Sequence, residues 1–580
     1  MGRVPASLEV GAKKLFCGPE SFTPDLAPII GEAPELRHYY IAAGLNSIGI
    51  LTGPGVGRVL AHQIVHGHAD VDVTAIAPAR LQPFQATPAY RGARVVESLG
   101  KVYKCHYPHR PTLTARGVRR SPLHERLAAR GAYFRDVSGW EGADWFAGPG
   151  QTAELGELSW GRHAGWWDRW AAEHAACREA CVLIDMSFMS KFLVRGRDAG
   201  ALLDWLATAH VDAAEVTITY TQLLSPRGTL EADLTITKLP ADCAGVGGLG
   251  GEPGFLVVAT DTAHRHVESL LRRGAEDWGG PHGARVSVTD VTGGLAQINL
   301  QGPSSRALLA RLTTADVSDS AFQFRGARTI TIGCAPVLAT RITYVGELGY
   351  ELFVPTEAAL HVYDLIAAEG EGVGLIHAGL KALGSLRMEK GYRDYGHDLD
   401  NLTLTLALSL SLSLSLSLTL SLTLTLTLTL TLTPTPTLTL TRHDLDNCDT
   451  LLEAGLGFTA DYDKPGGFVG MEACLAQRRE GGPVQRLVQI CLAAPEPLLF
   501  HGEVVYRNGE IVGDVRAASY GHTLGGAVGL SMVRAADRER VVTLAWVNGG
   551  DWEVDVAGVR VPARASLRPM YDPKNERIRL

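Results

Sequence analysis

Glu347 has the setting in this 580-residue chain that most invites chemistry. It lies in Gly346-Glu347-Leu348-Gly349, where glycines at both ends would present one carboxylate on a tight bend between two strands. Such a group can accept two N–H donors from the edge of a planar ligand. More charge follows at Leu386-Arg387-Met388-Glu389-Lys390, beside apolar partners. The bland alternative for those acids is a solvated face. Asp233 sits in TYTQLLSPRGTLEADLTITKL (219–239), and by itself reads as a strand-edge charge facing water. His62, His66 and His68 could suggest a metal, but no carboxylate supports them at ligand spacing, so solvent-facing histidines are expected and no metal site is assigned. Cys177 and Cys181, at i,i+4, read as core thiols on one helix face.

These residues need elements to position them. Arg341 to Tyr344 is β-branched and aromatic, as a strand should be, and Tyr350 to Val354 alternates before Pro355 stops it. Residues 219–239 form a hairpin around a Ser-Pro-Arg-Gly turn. Near the start, Tyr39–Ala43 reads as a strand running through a glycine-rich turn into a helix that ends near Gly67. LQGPSSRALL (300–309) is a strand–turn–helix joint with Pro303 near the first helical turn. An Asn508-Gly509 turn marks a hairpin in the β-rich segment 501–533. The glycine-rich loop 245–254 has no following Lys-Ser/Thr, so it is no phosphate cradle. Gly53-Pro54-Gly55-Val56-Gly57 has the wrong spacing for a dinucleotide fingerprint, and Pro54 lacks the N–H.

Length allows about three or four domains. A formal net charge of −8 argues against a nucleic-acid or anionic-membrane partner, and no run of eighteen apolar residues predicts a transmembrane helix. Nine scattered cysteines suggest reduced thiols in a cytosol or matrix.

The words YVGELGYEL (344–352), SLRMEKGYR (385–393) and LEAGLGF (452–458) resemble the folate-binding aminomethyltransferase fold of the glycine-cleavage T-protein. They are still more similar to its copy at the C-terminal end of the mitochondrial sarcosine and dimethylglycine dehydrogenases. FTPD (22–25), GEAPELR (31–37) and AAGLNSIGI (42–50) resemble the closing segment of that family's flavin domain. SPLHERLAARG (121–131) and GWEGADWF (139–146) resemble its linker domain, and PMYDPKNERIRL (569–580) its tail. The implied class is α+β. The implied domains are the C-terminal segment of a flavin oxidoreductase domain (1–75), a central linker domain (76–150), a T-protein-like folate-binding module (160–480) and a C-terminal β-barrel (485–580).

The resemblance implies roles. Glu347 would hydrogen-bond the pterin ring of tetrahydrofolate, with Tyr220 against that ring and Arg387 also on the folate. Asp233 would be the catalytic carboxylate facing the reacting nitrogens, steering or accepting a proton. Asp185 and Ser187 would cap backbone donors where helix passes to strand. Asn46, Ser47, Gly49 and Ile50 would form a turn whose following helix points its N-terminus at FAD. The implied activity is FAD-dependent oxidation of the N-methyl group of sarcosine, with capture of the carbon by tetrahydrofolate as 5,10-methylenetetrahydrofolate. Electron-transfer flavoprotein would be the acceptor and the mitochondrial matrix the setting. Dimethylglycine dehydrogenase is an alternative, although GPESFTPD and GEAPELR fit the sarcosine enzyme better. A non-enzymatic alternative is a relative of the pyruvate dehydrogenase phosphatase regulatory subunit; retention of Asp233 and Glu347 counts against it. The family's G-x-G-x-x-G between strand and helix near an N-terminus is absent here, which suggests a late start within the flavin domain and a chain that keeps mainly the folate module.

One segment departs from the resemblance. Residues 402–441 alternate Leu with Thr or Ser, and His397-Asp398-Leu399-Asp400-Asn401 recurs as His443-Asp444-Leu445-Asp446-Asn447. As a strand the repeat would carry little register information and be an aggregation hazard. Removing one copy with the repeat restores the family pattern, so the segment reads as a translated simple repeat without function.

Overall fold

The computed structural model describes residues 14, 17–102, 104, 107–161, 165–212, 217–240, 243, 253–279, 283–396, 444–535 and 541–580. The Leu/Thr/Ser repeat, the first His-Asp-Leu-Asp-Asn copy and most of the 245–254 loop lie outside the described residues.

An antiparallel ribbon of β1 (Ile29–Glu32) and β2 (Tyr40–Ala43) leads into α1 (Gly49–His66). Gly67, at φ +76°, caps α1 in the left-handed region, so the expected strand, turn and helix are all present. Next come α2 (Pro88–Lys101), α3 (His124–Ala129) and a hairpin of β3 (Ala132–Val137) and β4 (Trp140–Phe146).

The central module holds α4 (Trp167–Glu179), β5 (Cys181–Asp185), β6 (Ser190–Arg195), α5 (Ala199–Leu206), β7 (Ile218–Leu224), β8 (Leu230–Lys238) and β9 (Gly254–Ala259). It continues through α6 (His264–Asp277), β10 (Ser287–Asp290), β11 (Leu295–Gln301), α7 (Ser305–Leu312), β12 (Ala327–Ile332) and β13 (Ala335–Thr340). It ends with β14 (Gly349–Pro355), α8 (Ala359–Gly370), β15 (Leu375–His377) and α9 (Leu380–Glu389). Two sheets result, ordered β10-β6-β9-β8-β7 and β12-β13-β14-β11-β5-β15. β9 reads Gly-Phe-Leu-Val-Val-Ala because both its faces are covered. Phe255 and Val257 enter the core with Leu203 of α5 and Leu271 of α6, while Leu256 and Val258 meet Leu338 and Phe353 of the other sheet.

After α10 (Met471–Arg479), six strands close a barrel: β16 (Gln485–Leu492), β17 (Val504–Arg507), β18 (Glu510–Gly521), β19 (Gly526–Arg534), β20 (Trp552–Val556) and β21 (Val559–Ser566). Asn508 and Gly509, at φ +51° and +81°, make the expected turn between β17 and β18. The fold is mixed α+β, as the sequence implied.

One local expectation is corrected and one bland alternative is set aside. Arg341–Tyr344 is not a strand: β13 stops at Thr340. The Arg341 side chain is 1% exposed and donates to Phe322 O and Leu580 O, and the Tyr344 hydroxyl donates to Arg393 O, so tertiary bonds override β propensity. The charges of 387–390 are not a solvated face either. Arg387, Glu389 and Lys390 are all buried and all ion-paired.

Candidate functional site

Asp233 stands directly opposite Gln222 in the β7–β8 register, with Tyr220 two residues from Gln222 on the same face. Gln222 Nε2 donates to Asp233 Oδ1 at 2.8 Å, and the Tyr220 hydroxyl donates to Oδ2 at 3.0 Å. Alternation along β8 leaves Glu231, Asp233 and Thr235 half-buried while Ala232 and Leu234 enter the core. Asp233 is therefore no solvated edge charge. Burial is the main influence and pushes its carboxyl up to about 7; the Gln222 and Tyr220 donors pull the other way, Asp394 pushes further up and Arg393 down. Burial, then the Asp233 charge, holds Tyr220 well above the usual phenol range. A carboxyl that titrates near neutrality can serve as general acid or base.

Arg387, on the last turn of α9, donates to Asp444 Oδ2 and, at 3.2 Å, to Tyr392 O. The same Asp444 oxygen accepts from Asp394 N at 3.0 Å. The rings of Tyr344 and Tyr392 stack with centroids 5.9 Å apart. A cavity of about 960 Å³ opens between the N-terminal segments and the central module; Arg387, Tyr395, Glu231, Trp205 and Leu223 are in its wall. Asp233 is not in that wall, but Glu231 precedes it by one alternation on the same face of β8. The structure thus brings Asp233, Tyr220 and the Arg387 region into one neighbourhood.

Glu347 is elsewhere. It is fully buried, and its oxygens accept from Arg178 Nη1 at 3.1 Å, Tyr571 Oη at 2.5 Å and Arg577 Nε at 2.8 Å. Arg178 also pairs with Glu389 at 2.9 Å and lies 3.8 Å from the Tyr571 ring centre. The expectation that the turn offers Glu347 as an open acceptor is corrected: donors from α4 and from the C-terminal tail already occupy it. Burial opposes ionisation of Glu389, but His174 and Arg178 outweigh it and hold the carboxyl down at about 2. Glu389 Oε1 also accepts from Thr523 N and Leu524 N, tying the barrel to α9.

Sequence reasoning passed over Glu351, three residues into β14. Its neighbours Tyr350 and Leu352 enter the core, so alternation turns Glu351 to the opposite face. It is half-buried, accepts from Asn299 Nδ2 at 3.3 Å and is pushed up to about 7 by burial. Asp185 and Ser187 play the expected capping parts: Ser187 N donates to Asp185 Oδ1, and Ser187 Oγ accepts from Gln297 N.

Asn46 and Ser47 form a left-handed turn at φ +49° and +65° before α1 starts at Gly49. Their side chains are engaged: Asn46 accepts from Thr23 N and donates to Gly44 O, and Ser47 donates to Glu20. Ile50 is fully exposed. Residues 46–50 thus offer a flavin a helix N-terminus and the exposed Ile50, while the polar side chains of Asn46 and Ser47 are already engaged. Among the described residues no group of three His, Cys, Asp or Glu could hold a metal, and no helix is long and apolar enough to cross a membrane.

A two-sheet module bearing an acidic hairpin, followed by a closed barrel, defines an aminomethyltransferase-type architecture. Residues 123–417 match the GCVT N-terminal domain, residues 485–572 the glycine cleavage T-protein C-terminal barrel domain, and residues 66–121 the FAD dependent oxidoreductase central domain. The chain belongs to the glycine cleavage T-protein (GCVT) domain family. It is similar throughout its length to the 4-methylaminobutanoate oxidase (formaldehyde-forming) of Paenarthrobacter nicotinovorans, at 37% identity and covering 61% of that protein. It is likewise 32% identical to the mitochondrial sarcosine dehydrogenase of Homo sapiens, covering 60% of it. The chain therefore spans about three fifths of the length of these curated relatives. The crystal structure of glycine cleavage system aminomethyltransferase T from Bartonella henselae matches with a TM-score of 0.56 and 20% identity, over 79% of this chain and 99% of that one; this is a likeness of fold.

Proposed function

We propose that the chain is the folate-handling portion of a flavin-dependent demethylase of methylamino acids, and that a reduced folate binds at the Asp233 hairpin. The observation that carries this is a half-buried carboxyl titrating near neutrality, held by a tyrosine and a glutamine beside aromatic side chains and a buried arginine. Tetrahydrofolate, when bound, supplies nitrogen nucleophiles that take up a one-carbon unit. On this reading Asp233 accepts or returns a proton at Oδ1 or Oδ2 beside those nitrogens. Tyr220 fixes the carboxylate plane and offers a ring to the pterin, and Arg387 keeps Asp444, and through it the Asp394 backbone, in place at the edge of the site. Glu347 contributes by holding the turn that carries Tyr344, through Arg178 and the C-terminal tail.

The oxidative step would belong to FAD, bound with the flavin-domain segment to which residues 46–50 belong on this reading. The proposed substrate class is a secondary N-methylamino acid, with sarcosine as one member; a relative bearing the name 4-methylaminobutanoate oxidase supports the broader class as well. Electron-transfer flavoprotein as acceptor and the mitochondrial matrix as setting belong to the same proposal; the human relative is mitochondrial.

Calorimetric titration with tetrahydrofolate tests the folate reading. The folded chain should bind, and Asp233→Ala should weaken binding at least roughly tenfold, the loss of one charge-assisted hydrogen bond. A folded wild-type chain that binds no tetrahydrofolate overturns it.

A further inference from the structure

Gln222 is fully buried in β7, where an amide left unpaired would be costly. Its Nε2 meets Asp233 Oδ1, and its Oε1 meets the hydroxyl of Thr459, which lies 237 residues away on the far side of the repeat. Thr459 Oγ1 also lies 2.8 Å from Leu456 O. One hydroxyl proton therefore has two acceptors within reach, and that ambivalence has a use. With Asp233 ionised, Gln222 Nε2 donates to the carboxylate and Thr459 donates to Gln222 Oε1. With Asp233 protonated on Oδ1, a half-turn of the amide lets Oε1 accept the carboxyl proton. Nε2 then donates to Thr459, and Thr459 donates to Leu456 O. Every polar atom is paired in both arrangements.

We propose that Gln222 and Thr459 form a reorienting hydrogen-bond relay that positions Asp233 and lets it gain and lose a proton without leaving a buried polar atom unpaired. Gln222 is a positioning residue here, acting through Asp233. The arrangement rests on geometry within the β7–β8 hairpin and deepens the reading of Asp233 as the working acid or base. The titratable and charged groups facing Asp233 are Tyr220 on β7, Tyr344 after β13, and Arg393 and Asp394 after α9. Tyr220 also bonds the Gln222 side chain, so a change at Gln222 reaches Asp233 through Tyr220 as well, whereas the Thr459 variants leave all four as a constant background.

Infrared difference titration of the carboxyl stretch, with Asp233→Asn as the blank, reads Asp233 itself without any ligand. Gln222→Met removes the donor to the ionised form and should raise the Asp233 midpoint by about one pH unit, the size of one hydrogen bond's preference. Thr459→Val leaves Gln222 Oε1 only the long contact from Thr208 Oγ1 at 3.5 Å in the ionised arrangement and should shift the midpoint upward by about half a unit. Thr459→Ser keeps the hydroxyl and should restore the wild-type midpoint. The relay is overturned if both Gln222→Met and Thr459→Val, folded by circular dichroism, titrate within about 0.2 units of wild type. Should Gln222→Met not fold, the Thr459→Val and Thr459→Ser pair decides alone. Tetrahydrofolate titration on the same samples separates the two claims: shifted midpoints without binding sink the folate reading and keep the relay, and binding with unshifted midpoints does the reverse.

Discussion

Asp233 and Glu347 are both carboxylates in the central module, and the fold treats them in opposite ways. Asp233 is half-buried, faces neutral donors and is pushed up to about 7. Glu347 is sealed among two guanidinium groups and a phenol. Burial alone penalises either ion; what differs is the charge of the donors. Neutral donors compensate the penalty in part and leave a proton exchangeable, whereas guanidinium partners add charge-assisted bonds that fasten a carboxylate in place. The first arrangement suits chemistry and the second suits a clamp, here one joining α4, α9, the turn after β13 and the C-terminal tail.

The largest effect separating the two should come from breaking the clamp. Glu347→Gln leaves Arg178 buried at 6% side-chain exposure with one acid where it had two, and frees Tyr571 and Arg577 from the turn. Removing one partner of a buried pair costs about 3–5 kcal/mol. Urea unfolding should show a loss of that order, and a loss under about 1 kcal/mol would mean that Glu347 is no clamp.

Changing Asp233 should act with the opposite sign and a smaller size. Its folded carboxyl sits above the unfolded value, so the native state holds a proton that the unfolded chain has released between about pH 4 and 7. The stability this contributes is complete below the unfolded value and is lost as pH rises through about 7. Asp233→Asn cannot ionise and should be more stable than wild type at pH 8 by about 1–2 kcal/mol, a figure reduced for the water that reaches a half-buried group. The gap should close toward pH 4. Glu389 sets the contrast: held down at about 2, it contributes stability above its unfolded value that is lost as pH falls through about 2. Thermal melts from about pH 2 to 8 check both limbs; an Asp233→Asn variant that is less stable at pH 8 than at pH 5, relative to wild type, contradicts the assignment.

The Asp233 hairpin was legible because its order is local: a Ser-Pro-Arg-Gly turn between two alternating strands that carry Tyr220 and the acid. The sealing of Glu347 was not. Its partners Arg178, Tyr571 and Arg577 lie 169, 224 and 230 residues away, and nothing in a glycine-framed turn tells whether it faces water or a buried guanidinium. Glu351 was missed although its alternation with Tyr350 and Leu352 was there to read, because the glycines drew attention to the turn rather than to the strand. Gln222 carries no signal of its own until Thr459 is beside it.

The smallest expected effect concerns how the Asp233 neighbourhood is completed across the repeat. Asp444, Leu445, Asp446 and Asn447 come from the second His-Asp-Leu-Asp-Asn copy. Asp444 pairs with Arg387 and accepts from Asp394 N, and Leu445 is fully buried beside Tyr395. Asp446 pairs with Arg516 of the barrel at 2.7 Å, and Asn447 accepts from Val73 N at 3.0 Å. Every position of this seat that the structure describes is filled from the second copy. Deleting residues 397–442 joins Gly396 to His443, keeps one copy with the groups that reach Arg387 and Arg516, and shortens the chain between Gly396 and Asp444. Tetrahydrofolate affinity should then stay within about twofold of the full chain, a difference below 0.5 kcal/mol, and solubility should rise with the loss of the uncharged alternating stretch. A deletion variant that folds but loses more than about tenfold in affinity would show that the removed segment takes part in the site. By contrast, Asp444→Ala should weaken binding even with the repeat present, because it releases Arg387 and the Asp394 backbone together.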